Sequence, residues 1–132
     1  MTLRANRLPV ISWLFAVALS GVCRPSAAHH SFAMFDQASE MNVDGVVQEF
    51  RYVAPHTFII LDVKQEDGSS ESWILEGVSP SALARDGWTK TSLKPGDEVE
   101  LKIAPLRSGA PGGAWVTQKI KFRDGRPIVE KP

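Results

Sequence analysis

Two β-rich runs meet at a proline, and that junction limits the folds open to this chain. Met41–Val53 is rich in valine and carries Phe50 and Tyr52, while His56–Lys64 reads His-Thr-Phe-Ile-Ile-Leu-Asp-Val-Lys. β-Branched and aromatic side chains suit a half-buried pleated surface. Proline cannot donate to a sheet ladder, and it pushes the preceding residue out of the helical region. Ala54-Pro55 therefore marks a corner between two strands. Val43 and Val47 share one parity, and Val46, Phe50 and Tyr52 the other, so no single register buries them all. The interior Gly45 predicts a bulge or bend there, and a long first strand serving two neighbours explains the pattern.

The second strand puts Thr57, Ile59, Leu61 and Val63 on one face and Phe58 and Ile60 on the other, which predicts a central strand covered on both sides. Asp67-Gly68 is a hairpin signal. Glu71–Val78 follows as the third strand, with Trp73 and Leu75 opposite Ile74. Ser79 is placed to cap a helix, Pro80 stands at its first position and Gly87 ends it after about two turns. Leu83 and Trp88 are expected to plug the sheet. Lys94-Pro95-Gly96-Asp97 reads as a turn. The fourth strand, Glu98–Ala104, alternates with Val99, Leu101 and Ile103 inward. A Gly- and Pro-rich loop, 105–113, precedes the fifth strand, Ala114–Arg123. Its alternation predicts Val116, Ile120 and Phe122 inward, and Trp115, Thr117, Lys119, Lys121 and Arg123 outward.

Five short antiparallel strands with one short helix between the third and fourth predict a mainly β OB-fold-like barrel. Closing the sheet would remove most of its exposed edges. An open β-sandwich-like domain of the same strand count is the alternative.

The first 28 residues read as a secretory signal peptide, a short helix ahead of the domain. Arg4 and Arg7 give a positive start, Leu8–Val22 is mostly apolar, and Ser26-Ala27-Ala28 supplies small residues for cleavage. The run is short for a membrane anchor, which needs about 20 apolar residues. The only cysteine, Cys23, falls inside this segment and would be discarded with it, leaving no disulfide. Leu19-Ser20-Gly21-Val22-Cys23 has a faint likeness to a lipoprotein signal, but Val22 is large for the position before a lipidated cysteine. Residues 29–132 then form one domain in the periplasm or outside the cell. Cleavage removes Arg4, Arg7 and Arg24, so 12 basic residues face 15 acidic ones, a balance of −3. Such a chain has no overall field for nucleic acid or an anionic membrane.

Two segments carry a resemblance. Ala28-His29-His30-Ser31-Phe32-Ala33-Met34-Phe35-Asp36 is one, and Gly45-Val46-Val47-Gln48-Glu49-Phe50-Arg51-Tyr52 running into Pro55-His56 is the other. Together they resemble the small secreted bacterial proteins of domain-of-unknown-function family 6152 (DUF6152). The likeness continues through Trp73 and Glu76, the Ser79–Trp88 helix and the Lys94–Asp97 turn. Members commonly carry Asn before the Pro-His pair, and here Ala54 stands there, so no side-chain amide role carries over. The resemblance implies secretion and an OB-like fold, and it brings no activity with it.

Histidine offers the sharpest chemistry. The chain has three, His29, His30 and His56, and cleavage after Ala28 would put two at a new amino terminus. A free α-amine, with an ordinary pKa of about 7.7–8.0, forms a chelate with a neighbouring imidazole. Imidazole suits copper, zinc and nickel, and Cu²⁺ heads the divalent affinity order. The third mature position is Ser31, so the three-residue amino-terminal copper motif is absent. Histidines 29, 30 and 56 could share a metal only if the N-terminal segment folds back over the barrel. Solvated terminal histidines and a corner-capping His56 are the plainer reading.

The second candidate is the outward face of the fifth strand, where Trp115, Thr117, Lys119, Lys121 and Arg123 would form a surface for a protein or small ligand. Aromatic and basic residues interleaved on an OB-fold also suit single-stranded nucleic acid. The acidic balance and the neighbouring Glu98 and Glu100 oppose that use. Glu76, Asp86 and Asp97 have no spacing that pairs them for acid–base work, and no activated nucleophile or phosphate loop is present. The sequence therefore points to a non-catalytic binding module, with a copper-binding protein as the alternative.

Overall fold

The computed structural model describes residues 32–130. The expected signal segment, its cleavage point, Cys23, His29 and His30 lie outside the described residues. A short 3-10 helix, Phe32–Met34, leads into five strands: β1 (Met41–Arg51), β2 (Phe58–Lys64), β3 (Ser70–Glu76), β4 (Glu98–Pro105) and β5 (Gly112–Phe122). One helix, α1 (Pro80–Arg85), lies between β3 and β4. The strands close in the order β1-β2-β3-β5-β4, with β3 and β5 parallel and every other pair antiparallel. That order, with the helix after β3, is the OB arrangement.

β1 serves two neighbours, as its phase requires. Residues 41–46 pair with β4, and residues 46–51 pair with β2. The bulge does not fall at Gly45. Val47 faces Leu61 and Glu49 faces Ile60, so the extra residue is Gln48. This moves the inward parity from Val43 and Val47 to Phe50 and Tyr52, which pack against the core. Gly45 serves close approach instead, because a Cβ there would lie 2.8 Å from the Asp62 carbonyl oxygen.

Barrel closure depends on two glycines that the sequence placed in a loop. Gly112 and Gly113 are the first residues of β5 and pair in parallel with Ile74 and Leu75. A Cβ on Gly112 would lie 2.7 Å from the Ile74 carbonyl oxygen, and one on Gly113 would lie 2.6 Å from that of Ala104. Only bare backbone lets β3 and β4 approach β5 this closely.

The core draws Ile59, Leu61, Leu75, Val99 and Ile103 from the strands, each nearly or fully buried. Full burial of such side chains contributes about 1.5–3 kcal/mol each. Leu83, Trp88 and Leu93 plug one end. Ser79 caps α1 through its side chain, accepting the Ala82 N–H, and Pro80 occupies the first turn, as expected. The Tyr52 hydroxyl ties β1 to both ends of this plug. It lies 2.8 Å from the Pro80 carbonyl and 3.2 Å from that of Trp88.

The segment before β1 is docked on the barrel. Asp36 N–H donates to the Pro105 carbonyl at 2.8 Å, and Arg107 N–H donates to the Met34 carbonyl at 2.9 Å. These bonds make an antiparallel bridge between Phe35 and Leu106. Phe35 is buried, yet it stands apart from the main core cluster.

Candidate functional site

The outward face of β5 differs from the expectation at its most important residue. Trp115 is 2% exposed and belongs to the core, while Val116, expected inside, is 41% exposed. The cause is the pairing with β4. Ile103 faces Trp115 and Leu101 faces Ile120, so two steps along β4 match five along β5. The three extra residues reverse the alternation, and both Trp115 and Ile120 point inward. The Trp115 ring stacks among Phe50 and Trp88, with centroids 6.4 and 5.2 Å away. Its Nε1 has no hydrogen-bond partner among the described residues. Gly77 lies against this ring, where a Cβ would come within 2.6 Å of it.

The remaining members of that face are each engaged by an acid. The Thr117 hydroxyl donates to Asp86 at 2.7 Å. Lys119 pairs with Glu40, Lys121 with Glu100 at 3.0 Å and Arg123 with Glu98 at 3.1 Å. Glu98 and Glu100 thus meet the cations across the sheet, as their position on the neighbouring strand foreshadowed. Glu40 has its carboxyl pKa lowered, first by the hydrogen bond from Lys119. Asp36 is lowered as well, first by the Ser39 hydroxyl. A shallow groove of about 690 Å³ runs over β1, β4 and β5, lined by Glu40, Asp44, Glu100, Lys102, Lys119 and Lys121. Its lysines reach neighbouring carboxylates across it, Lys102 standing 4.0 Å from Glu40. Such a surface is internally neutralised.

The outward face of β2 and β3 has the opposite character. Ile74 is 54% exposed in the middle of β3. It sits across from Ile60, and Phe58 lies on the same side of β2 across from Glu76. On one flank, Glu49 faces Ile60 and Arg51 faces Phe58, and these two charges pair with each other at 2.9 Å. On the other flank lie Gly112 and Leu106, whose Cδ1 is 3.1 Å from where a Gly112 Cβ would stand. Of the four apolar residues here only Ile74 is exposed; Phe58 and Leu106 are half-buried and Ile60 is buried, and the edge is a self-paired charged one. The sequence alternation had already set Ile74 opposite Leu75. What it lacked was a reason to leave Ile74 uncovered.

His56 stands at the entrance to β2, beside this face. Its Nδ1 is 3.3 Å from the Gly77 carbonyl oxygen and 3.3 Å from Glu76 Oε1. The Phe32 ring packs edge-on against the imidazole at 6.4 Å. Among the described residues, no group of three or more His, Cys, Asp or Glu side chains is placed to hold a metal. The three carboxylates weighed for acid–base work serve separate contacts: Glu76 meets His56, Asp86 accepts from Thr117, and Asp97 accepts the Lys94 N–H at 2.8 Å. No helix among the described residues is long and apolar enough to cross a membrane.

A closed five-stranded barrel with the helix after β3, one neutralised face and one apolar face defines an OB-type domain. The chain belongs to the family of unknown function DUF6152, whose family model matches residues 17–116. Among solved structures it is similar to the mitochondrial single-stranded DNA binding protein Rim1 of S. cerevisiae. Two crystal structures of that protein align at 11% identity with TM-scores of 0.48 and 0.47, each covering 64% of this chain and 93% of that one. No curated protein matches the sequence.

Proposed function

We propose that the chain is a non-catalytic binding module of the periplasm or secreted space, and that it binds a protein partner through the outward face of β2 and β3. The observation that carries this reading is Ile74, half exposed at the centre of a strand, beside the half-buried Phe58 and the buried Ile60. Scattered exposed apolar residues are ordinary, but a large one at mid-strand, with half-buried apolar neighbours and a polar rim, supports an interaction surface. Strands 2 and 3 are also the customary ligand face of OB domains.

The chemistry of the edge selects the partner class. A single-stranded nucleic acid needs unpaired cations along its backbone track and aromatic faces for its bases. Here the flanking Arg51 is paired with Glu49, and the β5 cations are paired with Glu40, Glu98 and Glu100. Of the two aromatics on β5, Trp115 is in the core and the ring of Phe122 is covered by the Arg126 guanidinium at 4.9 Å. Ile74 and its half-buried apolar neighbours, with a neutral rim, suit a protein surface of the same kind.

A photo-crosslinking residue placed at position 74, in protein exported by its bacterial host, tests the reading. We expect a discrete protein adduct from position 74 and none from position 121 on the neutralised face. Equal adduct patterns from both positions, or adducts to nucleic acid, would overturn it.

A further inference from the structure

The segment ahead of β1 crosses the outer side of β4 and β5 without filling it. Backbone bonds tie Asp36 to Pro105 and Met34 to Arg107, and further along Glu40 pairs with Lys119. Between these ties lies a crevice of about 250 Å³, bounded on the segment's side by Phe32, Gln37, Ser39 and Glu40. Small residues make its floor. Ala104 and Ala114 face each other across the β4–β5 ladder, and Val116 lies beyond them. Trp115 turns inward, so its strand neighbours Ala114 and Val116 turn outward. Single methyl groups at 104 and 114 leave room that longer side chains would occupy.

The crevice is apolar at one end and cationic at the other. Lys102 and Ala104 are two residues apart on β4 and share its outer side, so the lysine stands one step along the strand from the methyl floor. Phe32 and Val116 are 43% and 41% exposed and offer apolar surface to an incoming group. At the other end Lys102 and Lys119 share one carboxylate, Glu40. Lys119 holds it closely. Lys102 stands 4.0 Å from it and pairs with no other acid among the described residues. Elsewhere on this wall each cation has its own acid, Glu100 for Lys121 and Glu98 for Arg123. Asp44, the other acid of the adjoining groove, does not line the crevice. Two lysines against one glutamate leave one positive charge uncancelled at its mouth.

We propose that this crevice binds a small amphiphilic carboxylate of the short-chain fatty acid class. The carboxylate sits at Lys102, and the chain lies over Ala104 and Ala114 between Phe32 and Val116. Three features select that class. The volume falls just under the range of drug-sized pockets and suits a short chain. The methyl and aromatic lining offers no hydrogen bond to a polar body, which would lose its water on entry. The uncancelled ammonium favours an anionic head, because a charge-assisted hydrogen bond is stronger than a neutral one. This inference goes beyond the partner face: the crevice uses neither Ile74 nor Phe58, and either site can fail alone.

The test is titration of hexanoate, at fixed pH and ionic strength, into ¹⁵N-labelled protein exported and processed by a bacterial host. We expect saturable amide shifts centred on Ala104, Ala114 and Val116, with a Kd of about 1 mM, within reach of a ligand this small. Hexanol, of equal chain length without the charge, should bind about threefold more weakly or worse. Lys102→Gln should weaken hexanoate by about three- to fivefold, the worth of an exposed ion pair, and leave hexanol unchanged. Ala114→Leu fills the floor and should abolish the shifts. Should that variant fail to fold, Val116→Ser on the exposed wall decides instead, and it should weaken hexanoate and hexanol alike. Shifts that do not saturate, shifts centred on Ile74, equal affinity for hexanoate and hexanol, or affinity indifferent to Lys102→Gln or to Val116→Ser would each overturn the proposal.

Discussion

The two outward halves of the barrel wall solve the same problem in opposite ways. Over β4 and β5, lysines and arginine stand opposite glutamates and cancel them, as in Lys121–Glu100 and Arg123–Glu98. Over β2 and β3, Ile74 is exposed beside the half-buried Phe58. The polar residues of that face, Glu76 next to Phe58 and Asp62, Lys64 and Ser72 beyond Ile74, stand to either side, with the Glu49–Arg51 pair along the edge. Both halves bury comparable aliphatic rows on their inner sides, so stability does not demand the difference. A wall that needed only solubility would carry charge on both halves. The contrast teaches that interleaved aromatic and basic residues on one strand are a poor guide to a ligand face. Their meaning depends on which carboxylates the neighbouring strand sets against them and on which way the aromatic turns.

The comparison can be broken most severely at Trp115. If the β5 register is right, Trp115→Ala empties core space shared with Phe50 and Trp88. It should cost about 3–5 kcal/mol, the range for large aromatic truncations. For a domain of this size each kcal/mol lowers the melting temperature by about 4–8 °C. Denaturant unfolding checks it, and a loss below about 0.5 kcal/mol would return Trp115 to the surface.

Next comes the seam that joins the two halves. Gly113→Ala puts a methyl group 2.6 Å from the Ala104 carbonyl oxygen and 2.7 Å from the Ile103 Cδ1. We expect a loss of about 1–3 kcal/mol, as for an overpacked site, measured by thermal unfolding. A neutral effect would mean that β5 starts later and that the barrel is open there.

On the walls themselves the effects are smaller. Lys121→Ala removes one exposed cross-strand pair and should cost about 0.2–1 kcal/mol, a loss that added salt should shrink. A much larger cost would mean that the groove is not merely a solvated charged face. Ile74→Glu should leave stability within about 0.5 kcal/mol while abolishing co-purification of the partner that the position-74 adduct identifies. Strong destabilisation by this change would show that Ile74 packs, and would dissolve the contrast between the halves.

The smallest effect is in acid. Glu40 and Asp36 have carboxyl pKa values held below 4.5 and 3.8, first by Lys119 and by Ser39 respectively. A depressed folded-state pKa contributes stability above the unfolded value, and that contribution is lost as pH falls through the folded value. The slope of melting temperature against pH below 4.5 should therefore be shallower in Glu40→Gln than in the parent chain. Identical slopes would mean that Lys119–Glu40 does not hold the N-terminal segment to the barrel.

Much of the fold was legible because its punctuation is local. Ser79-Pro80 begins a helix and Asp67-Gly68 turns a hairpin whatever surrounds them, since caps and turns depend on neighbouring backbone and a few side-chain atoms. Strand number, the helix between β3 and β4, and the dual pairing of β1 followed from such signals and from the parity of valines. The position of the β1 bulge did not, because Gln48 carries no mark of its irregularity and Gly45 carries a mark that close approach explains instead. The glycines at 112 and 113 read as loop for the same reason: a missing side chain looks alike in a flexible connection and in a tightly packed seam.

The candidate sites separated along the same line. His56 could be singled out by type, but its packing against Phe32 could not be foreseen. The docking of Phe32 on its ring came from hydrogen bonds between residues 34–36 and 105–107, which are distant in the chain. Trp115 was misdirected because parity counts residues as if every strand were regular, and the surplus of three residues in β5 over β4 between Trp115 and Ile120 undoes the count. Residue identities alone thus specified the family, the turns and the strand inventory, all of which rest on short-range chemistry. Which side chains face water and which cations are cancelled were decided by tertiary structure, because register and closure depend on partners far away in sequence.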